Sequence, residues 1–360
     1  SAHHRGLRRI FVNHFEELRG ERLNKPMRWL VTGVAGFIGS HLLEALLKWN
    51  QKVVGLDNFS TGYEANLMAV KNTVQPSQWD QFEFYEGDIC DETTCLQVTE
   101  QVDFVLHHAA LGSVPLSLEA PLKTHQTNAT GFMNILEGCR HSDAVRKVVY
   151  ASSSAVYGDS AQLPHQEDVI GTPLSPYATS KWINEKSAQT YAQVYGLSSV
   201  GLRYFNVFGP RQDPNGAYAA VIPKWLQRLQ DEKPVVIHGD GQTTRDFCFV
   251  ENVVQANILS AITNTPSTAS AVYNIGTGAE TSLLELADLM QKRVLGHGME
   301  LQPIHEQERD GDIRNSVADI TRVKKSLGFQ PLVDLPTGLE KMVQTEVGAQ
   351  PGDRDPKMTT

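Results

Sequence analysis

The sequence has little that points to a metal, a membrane or a nucleic-acid partner. Its four cysteines, Cys90, Cys95, Cys139 and Cys248, show no C-x-x-C spacing, which argues against a zinc site or a disulfide framework. No apolar run approaches the roughly 18 residues that span a bilayer, and no signal peptide is recognisable. The 41 acidic residues outnumber the 32 basic ones, which does not favour nucleic-acid binding. We therefore expect a cytoplasmic globular protein with reduced thiols and no metal.

What the sequence does contain is an alternation of short apolar runs with stretches of helical spacing. The predicted strands are residues 28–33, 52–58, 82–88, 102–110, 145–154 and 198–206. The predicted helices are residues 37–50, 123–141, 176–195, 250–264 and 282–294. This order is typical of a parallel sheet covered on both faces. It predicts an α/β fold of the doubly wound Rossmann type.

The pattern changes after about residue 206, where Gly- and Pro-rich loops become frequent. We predict a Rossmann domain over residues 1–206 and a smaller C-terminal α/β region over residues 207–348. Some segments of the second region are expected to return to the first. Residues 349–360 are predicted to be a disordered tail.

The stretch VTGVAGFIG places Gly33, Gly36 and Gly39 between a predicted strand and helix. Glycines there let a pyrophosphate approach the backbone N–H groups at the helix start, although a glycine triplet alone also permits tight helix packing. Asp57 ends the next strand, 18 residues after Gly39, where a carboxylate accepts ribose hydroxyls. It would repel the extra phosphate of NADP, and Asn58 supplies no arginine for it. NAD is therefore the predicted cofactor.

The stretch LSPYATSKWINE contains a candidate catalytic base. Ser175 and Pro176 suit a helix start, so Tyr177 and Lys181 lie four residues apart on one helix face. A nearby positive charge lowers the pKa of a phenol from roughly 10, which would make a catalytic base. The same spacing also occurs where a surface tyrosine lies beside a lysine. The serine run ASSSAVYG, residues 151–158, follows a buried strand and would reach the ligand-binding edge of the sheet.

Several separated motifs together carry a family resemblance across residues 27–345. They are TGVAGFIGS, GLDNFSTG, HHAALGSVP, SSSAVYG, SPYATSK, RYFNVFGPRQDPNGAYAAVIPKW, DGQTTRDFCFVENV and RDGDIRNSVAD. The sequence resembles the extended short-chain dehydrogenase/reductases, and within them the UDP-sugar 4-epimerases that act on N-acetylhexosamines. The resemblance implies interconversion of UDP-GlcNAc and UDP-GalNAc through a 4-keto intermediate, in the supply of surface polysaccharide precursors.

The resemblance also implies roles for individual residues. The catalytic residues would be Ser153, Tyr177 and Lys181. The cofactor would contact Gly33, Gly36, Phe37, Ile38, Gly39, Asp57, Asn58, Asp88, Ile89, Ala109, Ala110, Ser113, Asn128, Tyr177 and Lys181. The nucleotide sugar would contact Ser113, Ser153, Ser154, Tyr177, Asn206, Ala220, Val221, Lys224, Arg245, Phe247, Arg309, Asp312 and Ser316. Arg211 also matches the clamp of positive groups at the UDP site.

Other reactions of related enzymes stay open. Ser154 and Ala155 stand where dehydratases and decarboxylases carry an acid, so the resemblance favours epimerisation. The alternatives are a 4-epimerase of UDP-glucuronate or UDP-GlcNAc-uronate, with hydroxyls of GSVPLS meeting the carboxylate, and a sugar dehydrogenase that releases NADH. Small Ser316 would leave room for a 2-acetamido group. Helices 123–141 and 176–195 are expected to form a four-helix homodimer interface, with Phe132, Ile135 and Leu136 exposed on it.

Overall fold

The computed structural model describes residues 13–216, 219–264, 269–296, 298–308 and 313–348. The strands are β1 (Arg28–Thr32), β2 (Lys52–Asp57), β3 (Phe82–Glu86), β4 (Phe104–His107), β5 (Lys147–Ser153), β6 (Ser199–Tyr204), β7 (Val207–Phe208), β8 (Val236–His238), β9 (Thr244–Arg245), β10 (Cys248–Phe249), β11 (Ser270–Ile275), β12 (Thr281–Ser282) and β13 (Ile304–Glu306). The helices are α1 (His14–Arg22), α2 (Phe37–Lys48), α3 (Glu64–Thr73), α4 (Pro76–Trp79), α5 (Glu92–Thr99), α6 (Val114–Glu119), α7 (Pro121–His125), α8 (Gly131–His141), α9 (Pro176–Tyr195), α10 (Val221–Gln230), α11 (Val250–Ile262), α12 (Leu283–Val294), α13 (Thr321–Leu327) and α14 (Leu335–Gly348).

The central sheet has the strand order β3-β2-β1-β4-β5-β6-β11, and every neighbouring pair in it is parallel. The predicted α/β class and Rossmann-type sheet are confirmed. The chain reverses direction across the sheet between β1 and β4. In open α/β sheets, ligands bind at such a switch point, outside the carboxyl ends of the strands.

Alternate residues of the strands face two separate hydrophobic layers. On β1, Trp29 and Val31 pack into one core with residues of α2 and α11, while Leu30 packs into another with residues of α8. All three are fully buried. Because both faces are covered, the inner strands β1, β2 and β4 are mostly buried and apolar, which is why the sequence predicts them well, whereas the edge strand β3 is only partly buried.

The predicted helix over residues 123–141 is confirmed. It runs without a break through α7, a π-helical turn at Gln126–Thr130, and α8. The expectation that Phe132, Ile135 and Leu136 are exposed at a dimer interface is wrong, since all three are fully buried within this chain. They lie in a core cluster that also contains Cys95 of α5.

The C-terminal half contributes to two places. Strand β11 and helix α11 return to the central sheet and its core. A third hydrophobic cluster forms the smaller region from residues of α10, α12 and α14, including Trp225, Met290 and Leu339. The predicted tail over residues 349–360 lies outside the described residues. No helix within the described part of the chain is long and apolar enough to cross a membrane.

Candidate active site

The glycine loop joins β1 to α2 in a conformation that requires glycine at two positions. Gly33 has φ +70°, and a Cβ there would lie 2.8 Å from the backbone nitrogen of Ala109. A Cβ on Gly39 would overlap the carbonyl oxygen of Gly33. Gly36 caps α2 in an extended conformation, and Phe37 and Ile38 begin the helix. The loop thus brings unobstructed backbone N–H groups to a helix N-terminus, and the predicted pyrophosphate fits this arrangement.

Asp57 ends β2 beside this loop, as predicted. Its carboxylate accepts hydrogen bonds from the backbone N–H groups of Ala35 and Phe59, both at 2.9 Å. Burial is the main cause that raises the pKa of this carboxyl, and the backbone donors oppose it. Asn58 donates to Asp88 at 3.0 Å, which joins the ends of β2 and β3. Ile89, next to Asp88, is buried under α8.

The end of β4 is fixed by one hydroxyl. Thr32 Oγ1 accepts from the backbone N–H groups of His108 (3.0 Å) and Ala109 (3.1 Å) and lies 2.8 Å from His107 Nδ1. Because the hydroxyl already accepts two bonds, it donates its proton to His107. His108 Nε2 lies 2.7 Å from the hydroxyl oxygen of Tyr204. Burial lowers the pKa of both histidines, so they are neutral parts of the scaffold.

Asn128 organises the segment that follows. Its side chain accepts from the Leu111 N–H (2.8 Å) and donates to the Leu111 carbonyl (3.0 Å) and to Ser180 (3.1 Å). Asn128 therefore ties the residues after Ala109 and Ala110 to α9. Ser113, two residues beyond Leu111, caps α6 by accepting from the Leu116 N–H.

The three predicted catalytic residues come together where β5 meets α9. Ser153 is the last residue of β5, and its side chain is hydrogen-bonded to that of Tyr177. Lys181 Nζ donates to the carbonyl of Ala151 at 3.0 Å and lies 5.9 Å from the centre of the Tyr177 ring. Ser175 caps α9 by accepting from the Ala178 N–H at 3.0 Å, which explains the start of this helix. Ser154 begins a 3₁₀ turn directly after Ser153.

The pKa values of these groups differ from the simple expectation. Burial raises the pKa of Tyr177, and the hydrogen bond from Ser153 opposes this. In the chain by itself the effect of burial outweighs any lowering of the tyrosine pKa, and the predicted lowering by Lys181 and the bound nicotinamide stays a prediction. Burial also lowers the pKa of Lys181 to about 8. In the chain by itself Tyr177 therefore holds its proton more firmly than a free phenol, whereas Lys181, with a pKa of about 8, still carries its charge at pH 7.

A cavity of about 560 Å³ lies beyond the carboxyl end of β6. The sheet register pairs Ser153 with Tyr204, and Asn206, two residues on, lines the cavity. The other predicted substrate residues that line the same cavity are Ala220, Val221, Lys224, Arg245 and Phe247. Residues that the sequence did not single out also line it, among them Phe208, Trp225, Arg228, His238 and Glu306. Their common feature is a position on β7, α10, β8 or β13, segments whose packing no motif predicts.

Five predicted substrate residues, Ser113, Ser153, Ser154, Tyr177 and Ser316, are not among the residues that line this cavity. Arg211 does not line this cavity; its Nη1 pairs with Glu44 Oε2 of α2 at 2.8 Å, and its Nε donates to Ser40. In this structure its guanidinium thus pairs with an acid of α2, and its assignment to the nucleotide clamp stays a prediction. Ser316 is buried, and its N–H donates to the carbonyl of Thr244, the residue before Arg245, at 3.3 Å. Arg309 and Asp312 lie outside the described residues.

Asp246 is a buried acid that the sequence reading missed. Between Arg245 and Phe247, it accepts from the N–H groups of Gly278 (2.9 Å) and Ala318 (3.2 Å). It also accepts from the N–H and hydroxyl of Thr277, at 2.8 and 2.7 Å. Its side chain is fully buried. Asp246, which lies between β9 and β10, therefore holds this cavity-lining segment against the segment that carries Ser316.

Comparison with known proteins agrees with this site. The sequence pattern of the NAD dependent epimerase/dehydratase family matches residues 29–276. A UDP-glucose 4-epimerase of Mycolicibacterium smegmatis is 38% identical over 320 residues, which cover 88% of this chain and 98% of that protein.

Solved structures match over a similar extent. The UDP-N-acetylglucosamine 4-epimerase from Methanobrevibacter ruminantium has a TM-score of 0.81 at 35% identity, covering 90% of this chain and 99% of its own. The UDP-glucuronic acid 4-epimerase from Bacillus cereus, solved with a fluorinated UDP-glucuronic acid and NAD, has a TM-score of 0.77 at 30% identity, covering 88% and 98%. The chain belongs to the NAD dependent epimerase/dehydratase family and is an NAD-dependent isomerase of the UDP-sugar 4-epimerase type.

Proposed function

We propose that this enzyme interconverts UDP-GlcNAc and UDP-GalNAc through a 4-keto intermediate. The observation that carries the proposal is the Ser153–Tyr177–Lys181 group at the end of β5, together with a cavity beyond the end of the neighbouring strand β6 that offers Arg245 and Lys224 for a diphosphate. The N-terminal residues up to 206 would hold NAD, and residues 207–348 would mainly hold the nucleotide sugar. The product would supply a surface polysaccharide.

The residues around the reacting carbon have complementary roles. Tyr177, as a phenolate, takes the proton of the sugar 4-hydroxyl and becomes a phenol, and Ser153 donates a hydrogen bond to the oxygen as it becomes a carbonyl. Lys181, held by the Ala151 carbonyl, keeps a positive charge beside the phenolate. The glycine loop and Asp57 would hold NAD, which when bound would provide a reversible acceptor for the hydride of carbon 4. If the 4-keto sugar rotates before it is reduced, the hydride returns to the opposite face of carbon 4 and inverts its configuration. No cofactor is consumed overall.

The N-acetyl preference rests on the size of Ser316. Its backbone bond to Thr244 places this residue beside Arg245, and its hydroxymethyl group occupies little space. A larger side chain there would compete with a 2-acetamido group. The structural similarity to a UDP-N-acetylglucosamine 4-epimerase supports the same assignment.

The uronate alternative is less well supported by the local structure. The Ser113 hydroxyl already accepts from the Leu116 N–H, and the Ser117 hydroxyl donates to the Val114 carbonyl at 2.6 Å. The Ser117 proton is therefore committed to α6, which removes one of the two candidate donors of GSVPLS, whereas the Ser113 hydroxyl can still donate its proton to a carboxylate at carbon 6. Because the chain is also similar to the UDP-glucuronic acid 4-epimerase from Bacillus cereus, the assay below includes UDP-glucuronate.

One assay separates these possibilities. The purified enzyme is incubated with UDP-GlcNAc, UDP-GalNAc, UDP-Glc, UDP-Gal and UDP-glucuronate, and the products are resolved by chromatography. The proposal expects the highest kcat/KM on the two acetylated sugars. Preference for UDP-glucuronate or for the plain hexoses would refute it. Accumulation of free NADH in proportion to product would indicate a dehydrogenase instead.

We also propose a homodimer and a cytoplasmic location. Exposed apolar side chains lie on two neighbouring helices of each subunit, namely Leu122 (85% exposed) and Met133 on the continuous α7–α8 helix and Val194 on α9. Two such faces would form a four-helix interface. Leu122→Asp should then shift sedimentation from dimer to monomer, and Leu332→Asp, at another exposed leucine, should not. A monomeric wild type at micromolar concentration would refute the dimer. The four unpaired cysteines suit a reducing compartment.

A further inference from the structure

Three residues of α9, spaced four apart, meet three consecutive residues at the end of β5. Tyr177 is hydrogen-bonded to Ser153, and Lys181 donates to the Ala151 carbonyl. The third contact is outside the catalytic group: the Ser152 hydroxyl donates to Glu185 Oε1 at 2.6 Å. Residues four apart share one helix face, so the three contacts form a ladder between the helix and the strand end.

The Glu185 carboxylate is also held by a bidentate ion pair with Arg203. Arg203 donates from Nε to Oε1 at 2.8 Å and from Nη2 to Oε2 at 2.7 Å, a bidentate pair. Both side chains are buried, at 4% and 6% exposed. Arg203 Nη1 also donates to the Tyr157 hydroxyl (3.1 Å) and to the Glu167 carbonyl (2.9 Å). The guanidinium therefore cannot shift without breaking several bonds.

The sheet register makes this anchor specific to the catalytic end. Ser152 of β5 and Arg203 of β6 are direct neighbours in the sheet, and both donate to the same oxygen of Glu185. One carboxylate thus fixes α9 against two adjacent strands at once. Burying such an ion pair is costly and often adds little net stability. Placement next to a reacting group gives it a second use, since small misplacements there are expensive in rate.

We propose that Glu185 is a positioning residue for the epimerase reaction. Through Ser152 it holds the end of β5 so that the Ser153 hydroxyl stays in place opposite Tyr177. Glu185 contacts neither the sugar nor the cofactor in this role. Its effect falls on the alignment of two catalytic hydroxyls during proton transfer, and substrate binding at the nucleotide end is untouched.

Ser152→Ala tests the proposal better than a change of Glu185, because it leaves the buried ion pair intact. A Glu185 variant would leave the Arg203 charge unpaired in the core, which is strongly destabilising and risks unfolding. The matched control is Ser199→Ala on β6, which removes a buried hydroxyl bonded to Ser270 at 3.0 Å. Ser199 lies at the amino end of its strand, away from the site.

The measurement is steady-state kcat and KM of the NAD-containing enzymes on the best wild-type UDP-sugar, with thermal unfolding in parallel. We expect Ser152→Ala to lower kcat on the order of 10-fold, because alignment errors approaching 1 Å cost up to about 100-fold. KM and bound NAD should stay within about twofold, and Ser152→Thr, which restores the hydroxyl, should recover most of kcat. Ser199→Ala should lose similar stability with kcat unchanged.

The proposal is overturned by three results. A kcat within twofold of wild type for Ser152→Ala would mean that the Ser152–Glu185 hydrogen bond does not contribute to catalysis. Equal loss of kcat in Ser199→Ala would mean that any lost buried hydroxyl has the same effect. A rise in KM by the same factor as the loss in kcat/KM would place the effect on substrate binding.

Discussion

Lys181 offers a direct measurement of what the catalytic group costs the fold. Its ammonium is buried, and burial lowers its pKa from the usual 10.5 to about 8. A tenfold change in proton affinity is worth about 1.4 kcal/mol, so keeping this lysine charged at pH 7 costs about 3 kcal/mol. Lys181→Met removes that cost but also the hydrogen bond to Ala151, which is worth about 1.5–3 kcal/mol. At pH 7 the variant should be as stable as wild type or up to about 2 kcal/mol more stable.

The sign of the pH dependence follows from proton binding. Between pH 8 and 10.5 the unfolded chain holds the Lys181 proton and the folded chain has lost it, so wild-type stability rises with pH. Lys181→Met lacks this contribution. The stability advantage of the variant should therefore fall by up to about 3 kcal/mol as the pH rises through this window.

Urea unfolding of the cofactor-free proteins at several pH values, followed by tryptophan fluorescence, measures this difference. Lys147 is the matched control, because burial also lowers its pKa to about 8. Lys147 lies at the other end of β5, where it donates to the carbonyls of Ser260 and Thr263. Lys147→Met should show the same change of stability with pH yet keep its turnover, whereas Lys181→Met should lose turnover. A pH-independent difference between wild type and Lys181→Met would refute the buried-charge reasoning.

Three further outcomes are expected. Tyr177→Phe should lower kcat by at least about 100-fold while UDP-sugar binding, measured by calorimetry, stays within a few-fold; residual activity above about a tenth of wild type would contradict its role as base. Asp57→Ser should weaken NAD binding and reduce discrimination against NADP, and unchanged NAD affinity by fluorescence titration would count against the ribose contact. Ser316→Tyr should cost roughly 1–3 kcal/mol, about 5- to 150-fold in kcat/KM, on UDP-GlcNAc and UDP-GalNAc only, and equal losses on UDP-Glc and UDP-Gal would remove the size argument.

The parts of the fold that the sequence predicts best are those where local pattern and burial agree. The runs that became the inner strands β1, β2 and β4 are mostly apolar because both faces of the sheet are covered, and α9 begins and ends at 176 and 195 as predicted. Strand β11 was not predicted, since its partner β6 lies some 70 residues earlier and no local signal indicates the pairing. The face of α8 with Phe132 is predicted to lie at a dimer interface for the same reason: amphipathicity shows that a helix has an apolar side, but not which neighbour covers it.

The candidate site residues show the same contrast between local sequence signals and long-range contacts. Glycines in a strand–turn–helix setting and Tyr177 four residues before Lys181 carry their geometry in their spacing, and the structure brings each set together. Arg211 carries only a charge, so its partner could be a phosphate or Glu44, and only the fold decides between them.

Two buried carboxylates show why this limit is a physical one. Glu185 accepts from Ser152 and Arg203 at the proton-transfer end of the site, and Asp246 accepts from Gly278 and Ala318 at the cavity end. In sequence each is an ordinary acid beside a conspicuous neighbour, and its donors lie between 18 and 72 residues away. A buried carboxylate is stable only when its oxygen lone pairs accept hydrogen bonds. Its donors must therefore all be in place in the folded chain. The relative position of the catalytic helix and the substrate cavity is thus set by contacts that exist only in the folded chain.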